Sequence, residues 1–344
     1  MTSSLRIGAC LSLTGKFARF GMQAAAGLET WASLADAAEL VIEDDGSDWR
    51  AVEALLPDVA RRCDLLLGPY STILSRSAGR MAAEHGWLIW NHGGSGDDVE
   101  TAHPGYVISI LTPASRYAEP FVRLIAAEGK RELVIVRGAG SFGRQVSDGA
   151  MVIAQQLGIR AQCVAPDDAL RRSADWDLFS AGVFEDDADL VSRAQRLDYP
   201  PRRICSVAAG VRDFASAVDD AEGVYGIAQW FPGVEVGPGT GPDERGYLRE
   251  YARRTGIEPD YPAAQAAAAA ALAVRCAEMA GSARRADLWN AATSLETSTL
   301  FGAFGVDPQS GAQVKHRTVL LRWLGGDLAK YHRGPARWAS GDPH

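Results

Sequence analysis

The chain of 344 residues is predicted to be an α/β protein built as two doubly wound parallel-sheet lobes, and three features point there. Short apolar runs alternate with segments of helical periodicity from residue 5 onward, which is the pattern of a parallel sheet covered on both faces. The alternation pauses near residues 111–115 and then begins again, so a lobe boundary is expected there. From residue 244 the pattern turns helical, and those late helices need a sheet to cover.

Strands are expected at 5–13 (LRIGACLSL), 40–43, 64–67, 87–90 and 106–111, with helices to about 35 and at 52–60, 73–85 and 115–128. The second unit has strands at 133–136, 160–164, 178–183, 204–207 and 224–230, with helices at 143–157 and 188–197. The stretch 232–242 (PGVEVGPGTGP) is too rich in Gly and Pro for a strand and reads as a connection. Helices at 244–255, 263–280 and 286–295 follow, and strands at 318–323 and 328–332 close the chain. Residues 263–273 are almost all alanine. Alanine is the best helix former and permits close approach, so this segment reads as a tightly packed buried helix.

Hydrophobic residues make up 47% and charged residues 23%, as in an ordinary globular protein, and no apolar run approaches the roughly 18 residues of a membrane helix. A formal charge of −8 with both signs interspersed argues against nucleic acid and anionic membrane as partners. The five cysteines, Cys10, Cys63, Cys163, Cys205 and Cys276, are widely spaced, and neither CxxC nor HExxH occurs. Neither a disulfide framework, a metal nor a cofactor is therefore expected. No basic-then-apolar leader precedes the first strand, so the expected location divides: periplasm or cell envelope if a leader has been removed, cytoplasm if the chain is complete as given.

The most informative stretch is 64–95. A strand ends in Gly68-Pro69-Tyr70-Ser71-Thr72, a helix follows, and a second strand ends in Asn91-His92-Gly93-Gly94-Ser95. In an open α/β sheet, ligands sit beyond the carboxyl ends of the strands, so these two loops are expected to share one edge of a site. Ser71 and Thr72 stand where a helix begins, and free N–H groups with the positive end of the helix dipole favour a carboxylate. The competing reading is that Ser71 or Thr72 is only a helix cap and the glycines only permit a turn.

Two enzyme motifs compete. Gly138-Ala139-Gly140-Ser141-Phe142-Gly143 has the local form of a dinucleotide fingerprint, but the acid expected at the end of the next strand is absent, since that strand ends Cys163-Val164-Ala165-Pro166. The same stretch resembles a nucleophile elbow at Ser141, with His92-Gly93-Gly94 as oxyanion loop and His316 or His332 completing a triad. No acid followed by a histidine stands at two clear strand ends in the last third of the chain.

In order and spacing, several motifs together resemble the leucine/isoleucine/valine-binding family of solute receptors, with the type I periplasmic binding protein fold. They are Leu13-Thr14-Gly15 with Phe20-Gly21, the loop 68–72, Gly93-Gly94-Ser95, Phe142-Gly143, Asp187-Ala188, the segment 247–256 (YLREYARRTG), and Phe301-Gly302-Ala303-Phe304-Gly305. The resemblance implies two lobes joined by three hinge crossings. Lobe one would comprise 1–112 with 232–314, and lobe two 113–231 with 315–344. It implies a small-molecule ligand, carboxylate or amide, enclosed when the lobes close, and an ABC permease as partner if the protein is exported. A cytoplasmic sensor of the amide-regulator kind, which shares the fold, is the alternative.

By the same resemblance the ligand carboxylate would meet the hydroxyl and amides of Thr72 and those of Ser95, with Ser71 and Gly94 beside them in the two loops, the carbonyl of Gly93 would receive an amino group, and Phe20 would cover the ligand. Where relatives place an aromatic, an acid and a tyrosine, this chain is expected to offer Val183 followed by Phe184, Ala208, and alanine near Ala267. With Tyr70, Phe142 and Trp230 as remaining walls, the implied guest is flatter and less cationic than an amino acid, because a buried ammonium without a carboxylate partner is costly.

Overall fold

The structure, a computed structural model, describes residues 5–35, 38–129, 132–171, 175–233 and 239–331. Thus His332 and residues 234–238 of the Gly/Pro-rich connection lie outside the described residues.

The first sheet is formed by β1 (Leu5–Leu11), β2 (Ala38–Asp44), β3 (Leu65–Leu67), β4 (Ile89–Asn91) and β5 (Val107–Ser109). They are all parallel, in the order β2-β1-β3-β4-β5. Between them run α1 (Ala18–Ala35), α2 (Trp49–Arg62) and α3 (Thr72–His85). The triple-leucine strand β3 is buried throughout, as a strand covered on both faces must be.

The second unit begins with α4 (Glu119–Ala127) and contributes β6 (Glu132–Arg137), α5 (Gly140–Gln156), β7 (Arg160–Val164), the short α6 (Pro166–Ala169), β8 (Trp176–Ala181), α7 (Phe184–Gln195), β9 (Arg203–Ser206) and β10 (Tyr225–Ala228). After α8 (Glu244–Thr255), α9 (Tyr261–Ala280), α10 (Arg285–Ser294) and a small ribbon of β11 (Thr297–Thr299) and β12 (Gly302–Phe304), the chain returns with β13 (Val319–Leu324) and β14 (Asp327–Lys330). This sheet has the order β14-β13-β10-β9-β8-β6-β7. The expectation of a parallel sheet fails at its edge: β13 and β14 are an antiparallel hairpin, with β13 antiparallel to β10 as well. Gly325 and Gly326, both at positive φ (61° and 86°), supply the tight turn that makes a hairpin possible.

The late helices cover the first sheet. The core beneath them joins Trp31, Leu67 and Trp90 to the alanines of α9. A Cβ on Gly27 of α1 would overlap the carbonyl of Ala263, so α1 and α9 touch backbone to backbone, the close approach expected of the alanine run.

The chain passes between the sheets three times, and one polar knot ties the passages together. Thr112 N–H donates to Gln229 Oε1 at 3.0 Å, Gln229 Nε2 donates to the Thr112 carbonyl at 2.9 Å, and Thr112 Oγ1 lies 2.7 Å from His316 Nδ1. All three residues are buried. His316 Nε2 faces the Phe301 carbonyl, which can only accept, so that nitrogen carries the proton and Nδ1 accepts from Thr112. Burial holds the imidazole neutral by pushing its pKa down to about 4.

Replacing Gln229 with Leu leaves two buried backbone groups of Thr112 without partners, each costing about 1–3 kcal/mol. Urea unfolding of Gln229→Leu is expected to show a lower midpoint. An unchanged midpoint would mean that the knot contributes nothing to stability.

Candidate functional site

The loops after β3 and β4 lie side by side at the carboxyl end of the first sheet. Gly68 N–H reaches the Trp90 carbonyl at 2.9 Å, Ser71 N–H reaches the Gly93 carbonyl at 3.0 Å, and Gly96 N–H reaches Thr72 Oγ1 at 3.1 Å. Gly93 and Gly94 make room for this approach, because a Cβ on Gly93 would overlap the backbone of Pro69 and Tyr70 in the facing loop and one on Gly94 would overlap the Ser75 side chain of α3. The amide of Asn91 braces the second loop, with Oδ1 accepting from Gly93 N–H and Gly94 N–H and Nδ2 donating to the Gly94 carbonyl.

Several polar groups at the residues expected from sequence have partners within the protein. The N–H groups of Gly93 and Gly94, the Gly93 carbonyl and the Thr72 hydroxyl are already engaged within the protein. The Ser95 carbonyl likewise accepts from the Ala114 N–H, at 2.6 Å. The Thr72 hydroxyl is only an acceptor toward Gly96 and keeps its proton to donate, and the Gly93 carbonyl keeps a second lone pair.

Ser71 differs from them. Its backbone sits at φ 95° and ψ 148°, a conformation suited to glycine that costs about 1–3 kcal/mol for other residues. Although it precedes the first residue of α3, its side chain makes no capping bond, and its Oγ is buried without a hydrogen-bond partner. The cap-only reading therefore does not hold for Ser71. Beside it, the first N–H groups of α3 have no intrahelical acceptors.

Aromatic side chains flank this corner. The Phe20 ring stacks on Tyr70 at 4.6 Å, and the hydroxyls of Tyr70 and Tyr261 meet at 3.1 Å. From the second unit, Phe142 stands edge-on to Tyr117 at 5.4 Å, and Phe184 lies under the guanidinium of Arg19 at 3.8 Å. Phe20, Tyr70, Phe142 and Phe184 are each half-buried.

Other expected walls are placed differently. Trp230 is 1% exposed and donates its indole N–H to the Leu300 carbonyl, which makes it core. Val183 is 48% exposed at the head of α7. Ala208 is buried, with its N–H on Ser206 Oγ. Ala267 is wholly buried inside α9, whereas Tyr261 supplies the tyrosine at the start of that helix. Sequence reasoning missed Tyr117, Tyr261, Arg19 and Arg76. The one available signal was Asp260-Tyr261-Pro262, a helix start two residues ahead of the alanine run.

The two units touch across the gap. Arg76 of α3 bonds Ser141 Oγ at 2.8 Å and Asp98 at 2.6 Å, while Gln145 of α5 donates to Asp98 and accepts from Asp97 N–H. Arg212 pairs with Asp260 at 2.5 Å. The Ser141 hydroxyl thus faces an arginine, and His316 is committed to the knot described above, so among the described residues no triad assembles on Ser141. A Cβ on Gly138 or Gly143 would overlap the Ala181 carbonyl, so close packing of two β-α turns accounts for the glycine fingerprint. Among the described residues no cluster of His, Cys, Asp and Glu is arranged to hold a metal ion, and no helix is long and apolar enough to cross a membrane.

A family model described as periplasmic binding protein matches residues 4–327. The chain belongs to that family. Among solved structures it is similar to the leucine-binding protein LivK of Thermotoga maritima, at 16% identity and a TM-score of 0.83 over 95% of this chain and 98% of that one. It is also similar to two solute-binding proteins of ABC transporters from Rhodopseudomonas palustris. One is in complex with 3,4-dihydroxybenzoic acid (14% identity, TM-score 0.78, 95% of each chain). The other is in complex with benzoate (16% identity, TM-score 0.76, 95% of each chain). No curated protein matches it by sequence. The periplasmic binding protein thus has the two-lobed type I fold that its motifs suggested.

Near the contact between units, Glu100 is buried with Oε2 unpartnered, and burial beside Asp97 and Asp98 pushes its pKa from 4.5 up to about 8. A carboxyl whose folded pKa is raised favours the folded state fully below about pH 4.5 and loses that advantage as pH rises to about 8. Glu100→Gln is expected to remove this slope. Measured by urea unfolding between about pH 5 and 8, wild type should lose stability relative to the variant, and parallel curves would contradict the assignment.

Proposed function

We propose that the protein is a non-enzymatic receptor whose lobes close over a small organic carboxylate outside the cytoplasmic membrane and deliver it to an ABC permease. The observation that carries this reading is Ser71, where a strained backbone presents a buried, unpartnered hydroxyl beside the first N–H groups of α3. A carboxylate suits both, since it only accepts hydrogen bonds and is stabilised at the positive end of a helix.

In this reading Phe20, Tyr70, Ser71, Phe142 and Phe184 touch the ligand, while Thr72, Gly93, Gly94 and Ser95 hold the loops behind it. The lobes are 1–112 with 232–314, and 113–231 with 315–344, turning about the knot of Thr112, Gln229 and His316. Contacts from both lobes to one ligand favour the shut form.

Similar proteins carry leucine or benzoate-type acids in their names, and the chemistry here favours the acids. Asp187 is buried, accepts a hydrogen bond from Ser206 Oγ at 2.9 Å, and lies against the backbone of Gly182. Burial raises its pKa to about 6 even with those partners.

A thermal-shift panel tests the reading. Benzoate at a hundredfold excess over its Kd is expected to add about 2.7 kcal/mol of stability, and leucine far less. Ser71→Gly relieves the backbone strain and removes the hydroxyl, so it should fold normally and lose most of the benzoate shift. A strong leucine shift with no response to aromatic acids would overturn the proposal.

A further inference from the structure

The geometry points to Arg19 as a second anchor in this site, for a ligand that is an aromatic acid bearing a second oxygen acceptor, hydroxyl or carboxylate, and no ammonium group. This rests on the carboxylate reading above and specifies the other end of the guest.

Arg19 stands in the first turn of α1, next to Phe20, whose ring stacks on Tyr70. Its guanidinium lies 3.8 Å over the ring of Phe184 from the facing lobe, and its Nη2 meets Glu185 at 3.3 Å. Nη1 is buried and has no hydrogen-bond partner among the described residues. The planar fork is thus clamped by stacking, with one arm engaged and the other lacking an acceptor. A guanidinium cannot shed its charge and cannot accept a hydrogen bond, so the only chemistry that completes it is an oxygen acceptor.

The protein does not supply that acceptor from the acids nearby. Glu185 is exposed and sits on the other arm. Asp98 is held by Arg76 and Gln145, Asp187 by Ser206, and Asp260 by Arg212. Each of these carboxylates is thus committed to a partner within the protein. The Ser71 hydroxyl and the Arg19 fork are both unfilled, with half-buried rings near each: Tyr70 and Phe20 on one side, Phe184 on the other. Two acceptors separated by a flat apolar body match this arrangement.

Calorimetric titration of the full chain with benzoate, 4-hydroxybenzoate, benzene-1,4-dicarboxylate and leucine, against wild type, Arg19→Gln and Arg19→Lys, tests it. In wild type the two acids with a second oxygen are expected to bind about tenfold tighter than benzoate. Arg19→Gln should remove that advantage, and Arg19→Lys, which keeps charge without the fork, should restore part of it for the dicarboxylate only. Equal advantage in wild type and Arg19→Gln, or an equal loss for benzoate and 4-hydroxybenzoate, would overturn the assignment while leaving the carboxylate receptor standing. Tighter binding of leucine than of every acid, or no binding of any acid, would overturn both. The ligand-free melting temperature of each variant reports folding, and the wild-type comparison decides the matter even if a variant fails to fold.

Discussion

The loops after β3 and β4 approach within backbone contact, Ser71 N–H to Gly93 carbonyl at 3.0 Å, and the rest of the cleft depends on that approach. Gly93 and Gly94 make room for it by lacking a Cβ, and Asn91 fixes the second loop by hydrogen-bonding its backbone. Ser71 is forced into a glycine-like conformation, and its hydroxyl is thereby turned away from the capping position that serine usually takes at a helix start. Strain of this kind persists only where surrounding structure over-determines it, and it recurs at ligand sites. In this chain the over-determination is visible residue by residue.

A second constraint sits behind the cleft. The knot of Thr112, Gln229 and His316 joins all three passages between the lobes with neutral hydrogen bonds in a dry setting. Buried hydrogen bonds of that sort are costly to leave unmade, so rotation of the lobes is expected to pivot there instead of breaking it. Arg212 to Asp260, whose carboxylate is buried, is a firm cross-lobe contact as well, but others are of another character. Arg76 to Ser141 and Arg19 to Glu185 are partly exposed pairs, individually weak, that can open without large cost. A firm pivot with a loosely fastened mouth is the mechanical arrangement that a closing receptor needs.

The sequence carried the layered architecture well, because alternation of buried strands with amphipathic helices leaves a periodic trace. It also marked the 64–95 stretch, since a strand, a hydroxyl at a helix start and a glycine-rich second loop are local features. What it did not carry is tertiary. The closing hairpin of β13 and β14 has the same apolar period as a parallel strand, so its direction was not legible, although Gly325-Gly326 gave a hint. The alanine run drew the eye past Tyr261, whose hydroxyl meets Tyr70. Nor could spacing reveal that the Gly93 carbonyl accepts from Ser71, that Thr72 Oγ1 accepts from Gly96 N–H, or that Trp230 is core, because all three depend on which segments meet in space.

The central claim is that the Ser71 hydroxyl and the first turn of α3 hold the acid group of the ligand. A crystal structure of the protein with bound benzoate tests this most directly. The account predicts a carboxylate oxygen at about 2.5–2.8 Å from Ser71 Oγ, the range of a charge-assisted O–H···O bond, with the ring against Phe20 or Phe184. Benzoate bound elsewhere, or bound in the cleft with its carboxylate turned away while Ser71 Oγ bonds to protein, would contradict it.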